Sequence, residues 1–307
     1  MPITKSEAVA PINFEGVKKS YGRVHALNGV NMVVETGDIF GFLGPNGAGK
    51  TTAIRILVGL IKPHDGSAKI FGLDSWDKSV AIKKRIGFLP DTPGIYDQMT
   101  GRQYLDYLAR LRGFHKPPPL QKELLDRMDL AEIALRRKLK GYSQGMKQKV
   151  MLIQSMQHDP DLLIMDEPTD ALDPLIRQVF FEVLREFQER GRTVFMSSHV
   201  LSDVEAICKR VAIIRNGSIV SVGSVEELKK DYVRSMRVEF KSSPPDSIAL
   251  PGVSVISQEG KVWELSVTGD INPLIQLLAS HVIKDLVFEN PRLEELFLTF
   301  YENRDTE

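Results

Sequence analysis

Gly44-Pro45-Asn46-Gly47-Ala48-Gly49-Lys50-Thr51 fits the pattern G-x-x-x-x-G-K-[ST], the loop that cradles nucleotide phosphates. Upstream, Ile39-Phe40-Gly41-Phe42-Leu43 is a short apolar run that reads as a buried strand. Downstream, Ile54, Leu57, Val58 and Ile61 recur at helical spacing. Strand, loop and helix in that order let glycines turn the backbone tightly and aim N–H groups at phosphate oxygens. The helix N-terminus adds positive potential. Lys50 is placed to reach the β- and γ-phosphates, and Thr51 to ligate Mg²⁺. A Gly-rich turn before an ordinary helix gives the same pattern, so the rest of the chain has to decide.

The 307 residues leave room for one large domain and a smaller one. Hydrophobic residues at 42% and charged residues at 26% are ordinary for a globular protein. Forty basic residues balance forty acidic ones, so no global field points to nucleic acid or an anionic membrane surface. The single cysteine, Cys208, excludes an internal disulfide and suits a reducing compartment. It falls in the stripe Val204, Ile207, Cys208, Val211, which reads as core. Neither a secretory signal nor a membrane-spanning apolar run is expected, so a membrane process would need another chain to span the bilayer.

Val30, Met32 and Val34 alternate as a strand before the Thr36-Gly37-Asp38 turn, and Ala68-Lys69-Ile70-Phe71 follows an Asp65-Gly66 turn. Tyr21, at the end of an earlier strand-like piece, is either a half-buried aromatic or a platform for a nucleobase. Ile86 to Pro90 reads as a second buried strand ending at Asp91. A largely helical stretch follows, opened by a Thr100/Gln103 capping box and broken by Pro117-Pro118-Pro119. The basic cluster Arg136, Arg137, Lys138 and Lys140 reads as a solvated face.

Ser143 stands as N-cap of a helix carrying Val150, Ile153 and Met156. The run Leu162-Leu163-Ile164-Met165 then delivers Asp166 and Glu167 to a strand end, as in a central parallel strand covered on both faces. There Asp166 would hold Mg²⁺ and Glu167 would orient or deprotonate an attacking water. A third strand, Thr193 to Met196, ends at Ser197-Ser198-His199. That imidazole either caps a helix or hydrogen-bonds a transferring phosphoryl group. Asp170-Ala171-Leu172-Asp173-Pro174 turns into a helix, and Asn216-Gly217 joins two strands as a tight hairpin.

In this order the parts resemble the ATP-binding subunit of an ABC transporter, from about Phe14 to Lys230. The resemblance implies ATP and Mg²⁺ as ligands. It gives Tyr21 the role of the aromatic loop and makes Gly44 to Thr52, including Ala48 and Thr52, the Walker A segment. Asp166 and Glu167 become Walker B with its catalytic acid, Ala171-Leu172-Asp173 the D-loop, and His199 the switch histidine. Ser143 and Gly145 become the signature pair that faces the γ-phosphate of a second subunit. Tyr142, Gln144 and Met146 depart from the usual signature. Asp91 stands where a glutamine is usual, still able to serve Mg²⁺, and Asp170 replaces a small residue. The Ser-Gln-Gly-Met-Lys form with an acid at 91 is similar to the export branch that pairs with ABC-2-type permeases.

The fold class expected is therefore α/β: a P-loop NTPase with an N-terminal antiparallel β subdomain and a helical insertion at about 92–160. Residues 1–232 form this ATP-binding domain, and 233–307 a small α+β accessory domain that supports packing or dimerisation, or senses a ligand. The implied partners are a second ATP-binding subunit and an integral membrane permease, docked near Tyr96 to Met99, at the cytoplasmic face of the membrane. An importer ATPase with a regulatory C-terminal domain, a soluble ABC ATPase of translation or DNA repair, and a non-catalytic nucleotide-binding scaffold are the competing readings.

Overall fold

The structure, a computed structural model, describes residues 9–92, 94–230, 234–245 and 247–288. The chain divides into two units, Met1–Gly223 and Ser224–Glu307, where the sequence reading placed the boundary at 232.

In the first unit, the alternation around Val30, Met32 and Val34 builds an antiparallel pair, β1 (Ile12–Tyr21) with β2 (Val24–Val34). Next come the buried strand β3 (Ile39–Leu43) and the helix α1 (Lys50–Leu57). The expected helix through Ile61 stops earlier, because Gly59 takes a left-handed conformation (φ 64°) just past its end. Strands β4 (Asp65–Ile70) and β5 (Leu73–Asp74) complete an antiparallel sheet of order β2-β1-β4-β5.

A short helix α2 (Ser79–Lys83) leads to β6 (Ile86–Leu89). The helical insertion follows as α3 (Gly101–Leu111), α4 (Gln121–Arg127), α5 (Glu132–Leu135) and α6 (Gln144–Met156). Both halves of the Thr100/Gln103 capping box form. The chain continues through β7 (Leu162–Asp166), α7 (Pro174–Glu189), β8 (Thr193–Ser198), α8 (Leu201–Ile207), β9 (Arg210–Arg215) and β10 (Ser218–Ser224). These give a six-stranded sheet of order β10-β9-β3-β8-β7-β6, in which β9, β3, β8, β7 and β6 run parallel. Asn216 and Gly217 both adopt positive φ, as the two-residue turn into β10 demands.

Strands β3, β7 and β8 bury every residue, which explains their unalternating apolar runs. On one face, Phe40, Phe42, Leu162, Ile164 and Phe195 join Ile54 and Leu57 of α1 and Ile12 and Phe14 of the antiparallel sheet in one core. Phe42 and Phe195 pack with ring centroids 5.5 Å apart. On the other face α8 comes so near β3 that a Cβ on Gly41 would lie 2.8 Å from Val204 Cγ1. Cys208 is buried beside it, and burial pushes its thiol far up, so it is the inert core residue expected.

The second unit holds α9 (Val225–Lys230), β11 (Arg234–Phe240), β12 (Val253–Glu259), β13 (Val262–Val267), α10 (Asn272–Ala279) and β14 (Ile283–Phe288). Its antiparallel sheet has the order β12-β13-β11-β14. Met236, Val238, Phe240, Trp263 and Leu265 bury against Leu274 and Leu278 of α10. The spacing of Leu293, Leu296, Phe297 and Phe300 reads as a closing helix, and it lies outside the described residues.

His158, just beyond α6, is held down to a pKa of about 4, first by burial and then by the charge of Arg112. Its folded pKa lies below the ordinary 6.5, so the unfolded chain takes up a proton that the folded one refuses between those values. Stability therefore falls as pH drops from 6.5 towards 4, on the order of 1.4 kcal/mol per unit from this group alone. Urea denaturation across that window is expected to show a shallower decline in His158→Gln than in the wild type; parallel curves would remove His158 as the cause.

Candidate functional site

Parallel strands deliver the loops that follow them to one edge. Leu43 pairs with Ser198, and Asp166 with Ser197, so the phosphate loop, the Ser197–His199 segment and the Asp166-Glu167 pair emerge side by side. Asp91 follows the end of the neighbouring β6. Over this edge opens a cavity of about 560 Å³ whose wall includes Pro45, Gly47, Gly49, Lys50, Thr51, Thr52, Asp91, Glu167, Asp170 and His199. Asn46 lines it as well, and Val24, His25, Ala26 and Asn216 close the remaining side.

The loop needs its glycines for two different reasons. Gly47 has φ 81° with open space around it, so conformation alone excludes a side chain. Gly49, the N-cap of α1, has φ 113°, and a Cβ there would lie 2.4 Å from the carbonyl oxygen of Ala26. Lys50 is buried; its Nζ donates to the carbonyls of Gly44 (2.5 Å) and Pro45 (3.2 Å) and lies 3.2 Å from Glu167 Oε1. Glu167 Oε2 accepts from the backbone N–H of His199 (3.2 Å) and is 2.9 Å from its Nδ1. Lysine, glutamate and histidine thus form one continuous polar chain.

Ser197 ties the two acids together. Its hydroxyl donates to Asp166 Oδ1 (2.5 Å) and accepts from the backbone N–H of Glu167 (3.1 Å). Asp166 also bonds the Thr51 side chain. Burial raises the Asp166 carboxyl above the usual range, these two bonds draw it back, and the charges of Asp91 and Glu167 push it up again. Asp170 is raised first by burial and then by Glu167.

The sequence-predicted residues from Gly44 to Thr52, Asp91, Asp166, Glu167 and His199 therefore converge on one edge. Tyr21 does not line the cavity; it is exposed, with Lys19 Nζ 5.7 Å from its ring centroid. Ser143 and Gly145 are also outside it. Ser143 is exposed and caps α6, its hydroxyl accepting from Met146 N (3.2 Å). Their helix meets the site at the turn after Glu167: Gln148 Nε2 donates to the Pro168 carbonyl (2.9 Å), and a Cβ on Gly145 would sit 2.9 Å from the Ala171 carbonyl oxygen. Sequence reasoning passed over Ser197, His25 and the inward placement of Asp170. The hydroxyl pair closing an apolar strand was a usable signal for Ser197, and nothing local marks His25.

The family model described as ABC transporter matches residues 27–170. The chain is 40% identical over 214 residues to the bacitracin transport ATP-binding protein BcrA of Bacillus licheniformis, covering 69% of each chain. It is 30% identical over 300 residues to the linearmycin resistance ATP-binding protein LnrL of Bacillus subtilis, covering 92% of this chain and 96% of that one. Among solved structures, an ATP-binding subunit of an ABC transporter aligns with a TM-score of 0.63 at 29% identity, over 71% of this chain and 91% of the other. A dimeric ATP-binding cassette in a post-hydrolysis state with ADP and Pi shares the fold, with a TM-score of 0.63 at 22% identity over 70% of this chain and 98% of that one.

Ser197→Ala removes the donor to a buried carboxylate without changing the backbone. It is expected to lower stability by about 1–3 kcal/mol, the cost of a buried acceptor left unmet. Denaturant midpoints measured beside an exposed-site control check this, and an unchanged midpoint would mean the bridge contributes nothing.

Proposed function

The chain belongs to the ABC transporter family of ATP-binding proteins, and from that premise we propose that it drives an exporter, working at the cytoplasmic face of the membrane on an ABC-2-type permease. Drugs, lipids, polysaccharides or ions are the cargo classes. It is an ABC-type ATPase, and the observation that carries the hydrolytic reading is the Lys50–Glu167–His199 chain on the floor of the cavity.

The triphosphate of ATP would compete with Glu167 for the Lys50 ammonium, which already points its donors at the loop. Released from Lys50, Glu167 takes the role of base towards water, and His199 turns its imidazole to the γ-phosphate. Thr51, Asp91 and Asp166 offer only oxygen donors, a set that fits Mg²⁺, and Thr51 and Asp166 are already bonded together. The ion supplies charge neutralisation for the phosphates when bound. Tyr21 is assigned to the nucleobase, where its exposure leaves a ring face open to stacking.

Ser143 and Gly145 are assigned to the nucleotide of a second subunit. Their exposed helix end, apart from this chain's own cavity, supports that division. The permease reading is supported by a separate groove of about 840 Å³ lined by apolar residues such as Leu60, Phe88, Leu108 and Phe114, together with Lys83, Lys84 and Arg112. Near it Tyr96 is exposed and packs edge-on against Tyr107. No helix among the described residues is long and apolar enough to cross a membrane. The bacitracin and linearmycin names of two relatives support export over import.

Glu167→Gln is expected to keep ATP binding, accumulate a closed dimer and slow turnover by about 10²–10⁴-fold. Wild-type turnover in that variant would take Glu167 out of the mechanism. Lys50→Ala is expected to abolish nucleotide binding, since charge-assisted bonds of about 1.5–3 kcal/mol each are lost. Nucleotide titration reads it, and unchanged affinity would count against the loop. Co-purification of a membrane protein after detergent extraction tests the transporter reading, which fails if the protein comes out bound to ribosomes or DNA instead.

A further inference from the structure

Asp170 is the one acid lining the cavity to which the hydrolytic reading gives no task. Its carboxylate, the Glu167 carboxylate and an imidazole nitrogen of His199 lie within 4.8 Å of one another. Among the described residues, no side-chain hydrogen bond or ion pair engages Asp170. Glu167 is the anchor of the group. Its side chain is only 9% exposed, and its Oε1 accepts no well-aligned hydrogen bond, although Lys50 Nζ stands 3.2 Å away. Lys50 thus gives that carboxylate a neighbouring ammonium but no aligned hydrogen bond on Oε1.

Charge in the cavity points the same way. Asp91, Glu167 and Asp170 line it, whereas Lys50 is its single Lys or Arg. Asp166 lies buried beneath, and the four acids act on one another: the charges of Asp91 and Glu167 bear on both Asp166 and Asp170. One ammonium thus faces this group of carboxylates.

We propose that Glu167, Asp170 and His199 form a second cation site, suited to a transition-type divalent ion such as Zn²⁺, whose occupancy in the nucleotide-free chain holds the hydrolytic groups off. The donor chemistry separates it from the Thr51, Asp91 and Asp166 set. Three oxygen ligands favour a hard ion, whereas an imidazole with two carboxylates favours a borderline one. An ion at about 2.0–2.2 Å from its ligands would replace the direct 2.9 Å contact of His199 Nδ1 with Glu167 Oε2 and draw the Asp170 carboxylate in. Asp170 and His199 are both exposed, which leaves their side chains room to rotate. A bound ion occupies the Glu167 lone pairs needed for water and the imidazole needed for phosphate. That consequence, unlike the binding itself, rests on the hydrolytic reading above.

Calorimetric titration of the nucleotide-free full-length chain with Zn²⁺ tests the site. Binding is expected in the wild type and is expected to weaken by about tenfold or more in both Asp170→Asn and His199→Ala, since even second-shell changes at metal sites cost roughly 10–100-fold. Thr51→Ala is expected to leave it within about twofold. Wild-type binding no tighter than about millimolar, or equal affinity in Asp170→Asn, overturns the proposal. Asp170→Asn is a near-isosteric change at an exposed position, so loss of the fold does not confuse the result. In a parallel arm, Zn²⁺ is expected to inhibit Mg²⁺-supported ATP hydrolysis in the wild type and much less in Asp170→Asn. Equal inhibition of both overturns the regulatory part. A wild-type chain that hydrolyses no Mg²⁺-ATP would instead defeat the function reading, while the Zn²⁺ affinities still decide the site.

Discussion

Five adjacent strands point the same way, and that common direction is the constraint on which the site depends. Antiparallel neighbours would send alternate loops to opposite edges. Here β3, β8, β7 and β6 release the phosphate loop, His199, Asp166-Glu167 and Asp91 on one side, in the order in which the strands lie. Parallel order needs cover on both faces, which is why α1 and the antiparallel sheet close one face and α8 the other. The apolar cost of that arrangement and the chemical opportunity it creates therefore come from the same residues.

At that edge, Glu167 finds its partners in Lys50 and His199. Lys50 and Glu167 are both buried, and an isolated charge at either position would be expensive. Their pairing, with His199 on the second carboxylate oxygen, spreads the burden over three groups. Such a pair adds little net stability compared with apolar packing, but removing one partner strands the other. It is therefore better suited to exchange than to support. In the mechanism proposed above, an arriving polyanion would replace Glu167 at the lysine and free the carboxylate towards solvent.

Much of this was legible because it was local. The phosphate loop, the apolar strands ending in Asp166-Glu167 and His199, and the caps at Thr100 and Ser143 each declare themselves within a few residues. What was hidden depends on strand neighbours. Ser197 matters because register sets it opposite Asp166, which no spacing along the chain reveals. Asp170 reads as a turn acid until the backbone folds it over the cavity. In the second unit β12 is not legible because Ile256 faces out and Ser257 is half-buried, reversing the apolar alternation begun at Val253 and Val255, with a register shift between Val255 and Ser257. The two units divide after Gly223, against 232 in the sequence reading.

The segment from Glu167 to Ala171 joins chemistry to the helix whose end is assigned to another subunit. Both of its terminal residues hold positive φ, 50° and 61°, without being glycine. Each such residue costs of order 1–3 kcal/mol unless its surroundings hold it there. They do: Ser197 accepts the Glu167 N–H, and Gln148 of α6 holds the Pro168 carbonyl. Ala171 presents its carbonyl where even a methyl on Gly145 would crowd it. A change in what Glu167 binds therefore has a short route to α6 through a backbone already constrained at both ends. Relaxing either residue towards ordinary φ would move the Pro168 and Ala171 carbonyls, and α6 contacts both. The turn is therefore the segment that joins the buried carboxylate of Glu167 to the helix that carries Ser143.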